Sequence, residues 1–125
     1  MMVLVDTHTL VWALATPEKL SSKARKSMAS SEVLVSAASL WELILKAGKK
    51  DALVDQPGQW WQKNVSGNGL RTLNIRVRHI SLLEDLPAIH RDPFDRILVA
   101  QAIAENISIV SKDSKLAAYG VSVIW

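Results

Sequence analysis

Four acidic side chains lie where a parallel β-sheet would bring them together. Asp6 and Asp113 follow predicted strands, Asp95 lies near the start of a predicted helix, and Glu42 lies two turns into the helix after the second strand. Ligands of open α/β sheets bind beyond the carboxyl ends of the strands. Carboxylates gathered there repel one another unless a cation neutralises them. Because ligand sets made only of oxygen select hard ions, we expect Mg²⁺ or Mn²⁺, a combination suited to phosphodiester hydrolysis.

Three of these carboxylates also have a structural interpretation. Asp6 and Asp113 are each placed to cap a following helix, and short polar side chains commonly do so. Glu42 completes a capping-box pattern that begins at Ser39, and Lys46 follows it at the i+4 spacing of a helical ion pair. Taken singly, each residue is explained by helix formation, so the argument for a site depends on their convergence.

Asp95 is the acid that a capping role explains least well. Helical spacing puts it on the same face as Leu98 and Ala102, and a carboxylate on an apolar face is unfavourable unless it is paired or bound to a metal. Asp92 precedes Pro93 and is interpreted as the helix N-cap, not as a ligand. Arg96 is expected to pair with Asp92 or to contact a phosphate.

The elements that must position these acids alternate along the chain. Short apolar runs predict five strands, at residues 2–5, 32–35, 70–75, 106–110 and 121–125. Helical patterns between them cover residues 9–15, 21–31, 36–48, a segment after Pro57, 76–83, 94–105 and 113–119. Alternating strands and helices indicate βαβ units, a parallel sheet and helices on both faces.

The composition excludes several classes of protein. The chain has 125 residues, of which 49% are hydrophobic and 22% charged, as in a folded domain. It contains no cysteine, which excludes disulfides, thiolate metal sites and cysteine catalysis. The net charge of +3 is mildly favourable for nucleic acid. Neither a signal peptide nor a membrane span is recognisable, so we expect a cytoplasmic protein with no membrane partner.

Four stretches together resemble a PIN domain, and more closely a VapC-type toxin ribonuclease of a toxin–antitoxin pair. They are residues 5–12 (VDTHTLVW), 35–42 (VSAASLWE), 90–102 (HRDPFDRILVAQA) and 111–113 (SKD), of which the third is the most specific. The resemblance implies that residues 1–125 form a single domain of three α/β/α layers. It also implies a parallel sheet of about five strands in the order 3-2-1-4-5.

The resemblance further implies an activity and a site. Asp6, Glu42, Asp95 and Asp113 match the acidic quartet that binds Mg²⁺ or Mn²⁺ and cuts RNA. Hydroxyls that often support such a site match Thr7, Ser36 and Ser111. The implied partners are an RNA substrate and a cognate antitoxin that inhibits the enzyme. The chain is expected to form a homodimer, and a hetero-tetramer or larger assembly with the antitoxin.

Two other functions and several further residues are weighed beside this one. A receiver-like Mg²⁺-binding signalling domain has a similar sheet, and a catalytically silent PIN-like fold would bind only protein. Histidines and lysines are considered as RNA contacts against a structural or solvated role: His8, His90, Lys46, Lys49 and Lys50. Trp12 and Trp41 are assigned to the core or a subunit interface, whereas only one of Trp60 and Trp61 is expected to face inward.

Overall fold

A five-stranded parallel sheet forms the centre of the computed structural model, which describes all residues 1–125. The strands are β1 (Met2–Val5), β2 (Glu32–Ser36), β3 (Arg71–Leu73), β4 (Ser108–Val110) and β5 (Val123–Ile124). Their order across the sheet is β3-β2-β1-β4-β5, with every neighbouring pair parallel. The expected topology is therefore confirmed.

Helices cover both faces of this sheet. They are α1 (Thr7–Ala15), α2 (Ser22–Ala29), α3 (Ala37–Lys46), α4 (Pro57–Trp61), α5 (Val77–Ser81) and α6 (Pro93–Glu105). Val3 and Val5 of β1 pack into one hydrophobic cluster, whereas Leu4 between them packs into another. Successive side chains of a strand point to opposite faces, so two clusters on one strand mean that both faces are buried. The three-layer α/β/α architecture is confirmed. No helix is long and apolar enough to cross a membrane.

Helix caps set boundaries that differ from those expected. Helix α1 begins at Thr7 because Asp6 Oδ1 accepts a hydrogen bond from the backbone N–H of Thr9 at 2.9 Å. Helix α3 begins at Ala37, capped by the Ser36 hydroxyl, so Glu42 is not its third residue and the expected capping box does not form. Helix α3 ends at Lys46 rather than at Gly48, whose φ of +75° suits only a residue without a side chain.

The remaining differences concern short segments. Strands β3 and β5 are shorter than the apolar runs that predicted them. Helix α4 continues as a π-helical stretch over Gln62–Ser66, and the helix expected after Asp113 is a 3-10 helix over Ser114–Tyr119. Further 3-10 turns lie at Pro17–Lys19 and Leu82–Asp85.

The order of the strands also excludes the receiver-like alternative. In that fold the order is 2-1-3-4-5, so the first strand lies between the second and the third. Here β1 pairs with β2 on one side and with β4 on the other, and β3 is an edge strand. The chain therefore does not have the receiver fold.

Candidate metal and catalytic site

One cavity lies at the carboxyl edge of β1 and β4, between α1, α3 and the start of α6. Its volume is about 240 Å³, and it is lined by Asp6, Thr7, His8, Trp12, Glu42, Lys46, Asp92, Asp95, Lys112 and Asp113. All four acids expected to form a site therefore share one cavity. The parallel strands explain this convergence, because their carboxyl ends meet at the same edge of the sheet.

Asp6, Ser111 and Asp113 are connected by hydrogen bonds. While one oxygen of Asp6 caps α1, its Oδ2 accepts a hydrogen bond from the Ser111 hydroxyl at 2.5 Å. Ser111 Oγ in turn accepts from the backbone N–H of Asp113 at 3.0 Å. The capping role and a place in the site are thus compatible for Asp6, and Ser111 holds the ends of β1 and β4 in register.

Glu42 is buried, and both of its oxygens are already engaged. Oε1 accepts a hydrogen bond from the Thr7 hydroxyl at 2.6 Å, and Oε2 accepts from Lys46 Nζ at 2.6 Å. Partial burial alone would lower the pKa of Lys46, but the hydrogen bond and charge of Glu42 outweigh it and raise that pKa. The ammonium group of Lys46 thus pairs with Glu42 at the wall of the cavity, at the expected i+4 spacing.

Asp95 lies in the first turn of α6 and carries the most perturbed carboxyl group. Burial raises the pKa of Asp95 to about 7, and repulsion from Asp92, Asp6 and Glu42 adds to the rise. Only His90 acts in the opposite direction. Crowded negative charge in a half-buried cavity is the condition that a bound divalent cation relieves.

His90, in the loop before α6, contacts two of the acids that line this cavity. Its Nε2 lies 2.7 Å from Asp113 Oδ2, and its Nδ1 lies 3.6 Å from Asp95 Oδ2. An imidazole nitrogen and two carboxylate oxygens thus lie within 4.8 Å of one another. These side chains fit a divalent metal ion, since carboxylates accept Mg²⁺, Mn²⁺ or Ca²⁺ and imidazole accepts transition ions. The sequence predicted a ligand set made only of oxygen, and this group offers an imidazole nitrogen beside two carboxylates.

Comparison with known proteins identifies the family. The model of the PIN domain family matches residues 3–121. The chain belongs to the PIN domain family. Ribonuclease VapC22 of Mycobacterium tuberculosis is 30% identical over 116 residues, covering 91% of this chain and 88% of that protein. The resemblance stated from the sequence motifs is therefore confirmed.

Solved structures share the fold of this PIN domain at low sequence identity. VapBC2 from Rickettsia felis, bound to a promoter DNA fragment, has a TM-score of 0.68 at 15% identity, covering 98% of this chain and 97% of that one. DNA-bound VapBC from Salmonella typhimurium has a TM-score of 0.71 at 17% identity, covering 98% and 96%. The PIN fold is thus supported by both sequence and structure.

Ser36 lies behind the PIN-domain cavity and does not line it. Its hydroxyl is buried, donates to Gln101 Oε1 at 2.6 Å and caps α3 at Ala38. Gln101 Nε2 in turn donates to the carbonyl of Asn74 at 3.3 Å. These contacts connect α3, which carries Glu42, to α6. Spacing along the sequence cannot reveal such a connection, because the two residues are 65 positions apart.

The structure of the PIN domain also tests the assignments of Arg96 and the tryptophans. Arg96 does not pair with Asp92; its guanidinium donates to backbone carbonyls, the closest being that of Pro87 at 2.9 Å. Trp41 is 53% exposed, so its assignment to the core is wrong and an interface role stays a prediction. Trp12 is half-buried and lines the cavity. Trp61 is buried and Trp60 half-buried, so only one of them faces fully inward.

The lysines on and directly after α3 differ in whether they reach the cavity. Lys46 lines the cavity, whereas Lys49 and Lys50 are exposed outside it. Lys112 was not selected from the sequence, yet it lines the cavity beside Asp113. Its position directly after β4 was the available signal, since residues that follow the central strands reach this edge.

Proposed function

We propose that this protein is a divalent-metal-dependent endoribonuclease that acts as the toxin of a toxin–antitoxin pair. The observation that carries the proposal is the shared cavity of Asp6, Glu42, Asp95 and Asp113 at the carboxyl edge of a PIN-domain sheet. Hydrolysis would join the oxygen of water to the scissile phosphorus and release the ribose oxygen as a hydroxyl. Residues 1–125 are proposed to act as one domain.

Each cavity residue is proposed to have a distinct part in this reaction. When bound, a divalent ion lowers the pKa of a water and stabilises charge on the phosphoryl oxygens. Asp6, Asp95 and Asp113 would hold the ion, and Ser111 orients two of them through its hydrogen bonds. Thr7 and Lys46 hold Glu42 at the wall of the cavity. These positions are set before substrate arrives, which favours catalysis because little reorganisation is needed.

The antitoxin partner and the RNA substrate are proposed because similar proteins have them in their names. A relative 30% identical to it is named a ribonuclease. Two neighbours in fold are VapBC assemblies, and a third is a toxin–antitoxin complex from Klebsiella pneumoniae. We therefore propose that a cognate antitoxin binds this protein and inhibits cleavage, in a complex of at least two chains of each kind.

Cleavage of RNA with and without metal tests the proposal. Purified protein should cut a mixed-sequence RNA in Mg²⁺ or Mn²⁺ and stop in excess EDTA. Asp95→Asn should be inactive. Asp85→Asn is the matched control, because Asp85 is an exposed acid outside the cavity, and it should retain full activity. Undiminished cleavage in EDTA, or equal activity of Asp95→Asn and wild type, would reject the mechanism, whereas wild type that cuts no RNA in either ion would favour the silent binding module.

A further inference from the structure

His90 lies in the loop before α6, and its ring is held between carboxylates from two different elements. Asp95 belongs to the first turn of α6, whereas Asp113 follows β4. The imidazole contacts both, at 3.6 Å through Nδ1 and at 2.7 Å through Nε2. The backbone N–H of His90 also donates to the Tyr119 hydroxyl at 2.7 Å. Main-chain and side-chain contacts therefore hold the ring beside two carboxylates of the cavity.

The three side chains each offer one ligand atom, and these atoms lie within 4.8 Å of one another. Metal–ligand bonds of ~2.1 Å in an octahedral site put neighbouring ligand atoms ~3 Å apart and opposite ones ~4 Å apart. Only one ring nitrogen can bind the ion: Nε2 lies 2.7 Å from Asp113, whereas the 3.6 Å contact with Asp95 is made by the other nitrogen, Nδ1. Asp6 and Glu42 line the same cavity but are not part of this close group. Glu42 is instead occupied by Thr7 and Lys46.

The mixture of donors affects which ion fits. Imidazole nitrogen is typical of first-row transition-metal sites, whereas Mg²⁺ takes oxygen ligands and retains water. We propose that His90 is a ligand of the divalent ion together with Asp95 and Asp113, and that it makes the site favour Mn²⁺ over Mg²⁺. This inference rests on the proposed function, because it concerns the same metal site, and it adds a nitrogen ligand to the acidic quartet.

Pulsed electron paramagnetic resonance of the Mn²⁺ complex tests the inference directly. Wild type should show the ¹⁴N coupling of a coordinated imidazole, and His90→Asn should lack it. Asparagine can still donate a hydrogen bond to Asp113, so the variant separates ligation from positioning. His8→Asn is the matched control: His8 lines the cavity, lies outside the close group and should leave the coupling unchanged.

Binding measurements by calorimetry complete the experiment. His90→Asn should weaken Mn²⁺ binding by at least about tenfold and Mg²⁺ binding by less, so the preference for Mn²⁺ falls. Wild-type protein that carries Mn²⁺ without nitrogen coupling would overturn the inference, as would coupling that persists in His90→Asn. In either case His90 only positions Asp113, and the proposed function stands. Wild type that binds neither ion would overturn the inference and the proposed function together.

Discussion

One carboxylate oxygen of Asp6 caps α1 and the other accepts a hydrogen bond from Ser111 at the cavity. A substitution can therefore remove the negative charge of Asp6 while it keeps the cap. Asp6→Asn should keep the N-cap of α1, because Asn and Asp cap helices about equally well. Cleavage should nevertheless fall by more than ~100-fold, exceeding the 10–100-fold typical when a residue that only orients a ligand is lost. The measurements are an RNA cleavage rate in Mg²⁺ or Mn²⁺ and the Tm of the metal-free protein.

The Tm separates the two interpretations of Asp6. Removal of one repelling charge should leave the metal-free Tm unchanged or higher, while the stabilisation by added metal should decrease. A variant with wild-type cleavage would mean that Asp6 serves only as a cap. A large loss of Tm together with activity would attribute the defect to folding.

The raised pKa of Asp95 makes metal-free stability depend on pH. The pKa of Asp95 is about 7 in the folded protein, against an ordinary value of 3.8 for an aspartate side chain. Between pH 3.8 and pH 7 the folded state therefore binds more protons than the unfolded state. The contribution of Asp95 to the free energy of unfolding therefore decreases as pH rises from about 4 to about 7. Asp95→Asn should raise the Tm in EDTA by a small amount near pH 4.5 and by a larger, constant amount above pH 7.5.

Thermal melts in EDTA across this pH range measure the effect. Asp85→Asn serves as the control, because Asp85 is exposed and should show no such pH-dependent gain. A difference between Asp95→Asn and wild type that does not change with pH would show that Asp95 is ionised throughout. Saturating divalent ion should abolish most of the difference, since the ion neutralises the charge that burial disfavours.

At the scale of elements, local patterns predicted which segments form the sheet and helices but not where each helix begins. Strand β1 and helix α6 follow directly from their apolar residues. The start of α3 was predicted to within one residue, but the capping box put the cap at Ser39, whereas the Ser36 hydroxyl caps the helix. Competing local signals of this kind are resolved by tertiary structure.

The candidate site was likewise only partly predictable from the sequence. Asp6, Asp95 and Asp113 could be predicted, because each lies beside the end of an element and such ends converge in a parallel sheet, whereas Glu42 lies inside the helix that follows β2. His90 could not be placed, since Asp113 lies 23 positions away, beyond α6 and β4, and the contact depends on how two separate loops meet. The Ser36–Gln101 hydrogen bond likewise joins distant elements. Sequence spacing thus predicts positions along elements but not contacts between loops.

Helix α3 places the ammonium group of Lys46 in the cavity. Removal of this charge should change how much an added metal ion stabilises the protein. Lys46→Met keeps an apolar stem of similar length but leaves Glu42 buried without its ammonium partner. Because Lys46 is only partly buried, we expect a loss of about 1–2 kcal/mol in metal-free stability, below that of a fully buried pair. Saturating Mg²⁺ or Mn²⁺ should then raise the Tm more than in wild type.

Lys49→Met is the matched control for α3, because Lys49 is exposed and lies outside the cavity. Lys49→Met should change neither the Tm of the metal-free protein nor the rise in Tm on adding metal. If Lys46→Met and Lys49→Met behave alike, the ion pair with Glu42 does not contribute to the electrostatics of the metal site. Chemical denaturation with and without the ion measures both quantities.

At the scale of the whole molecule, α3 presents an apolar surface that its own chain leaves uncovered. Trp41, Ile44 and Leu45 are 53%, 52% and 46% exposed, and the Trp41 ring packs edge-to-face on Phe94 of α6 at 5.1 Å. Contiguous exposed apolar side chains commonly mark protein interfaces. Trp12, the other tryptophan assigned to an interface, faces the cavity instead and is less suited to the role.

A homodimer through this α3 surface is the prediction that follows. Light scattering at micromolar concentration should give wild type twice the chain mass of 13.8 kDa. Ile44→Glu should give a monomer, because a charge buried at a dimer contact is strongly unfavourable without a partner. Ile80→Glu is the matched control, since Ile80 is equally exposed at 52% but lies on α5. A dimer that survives Ile44→Glu but not Ile80→Glu would move the interface to α5, and a monomeric wild type would exclude a stable homodimer.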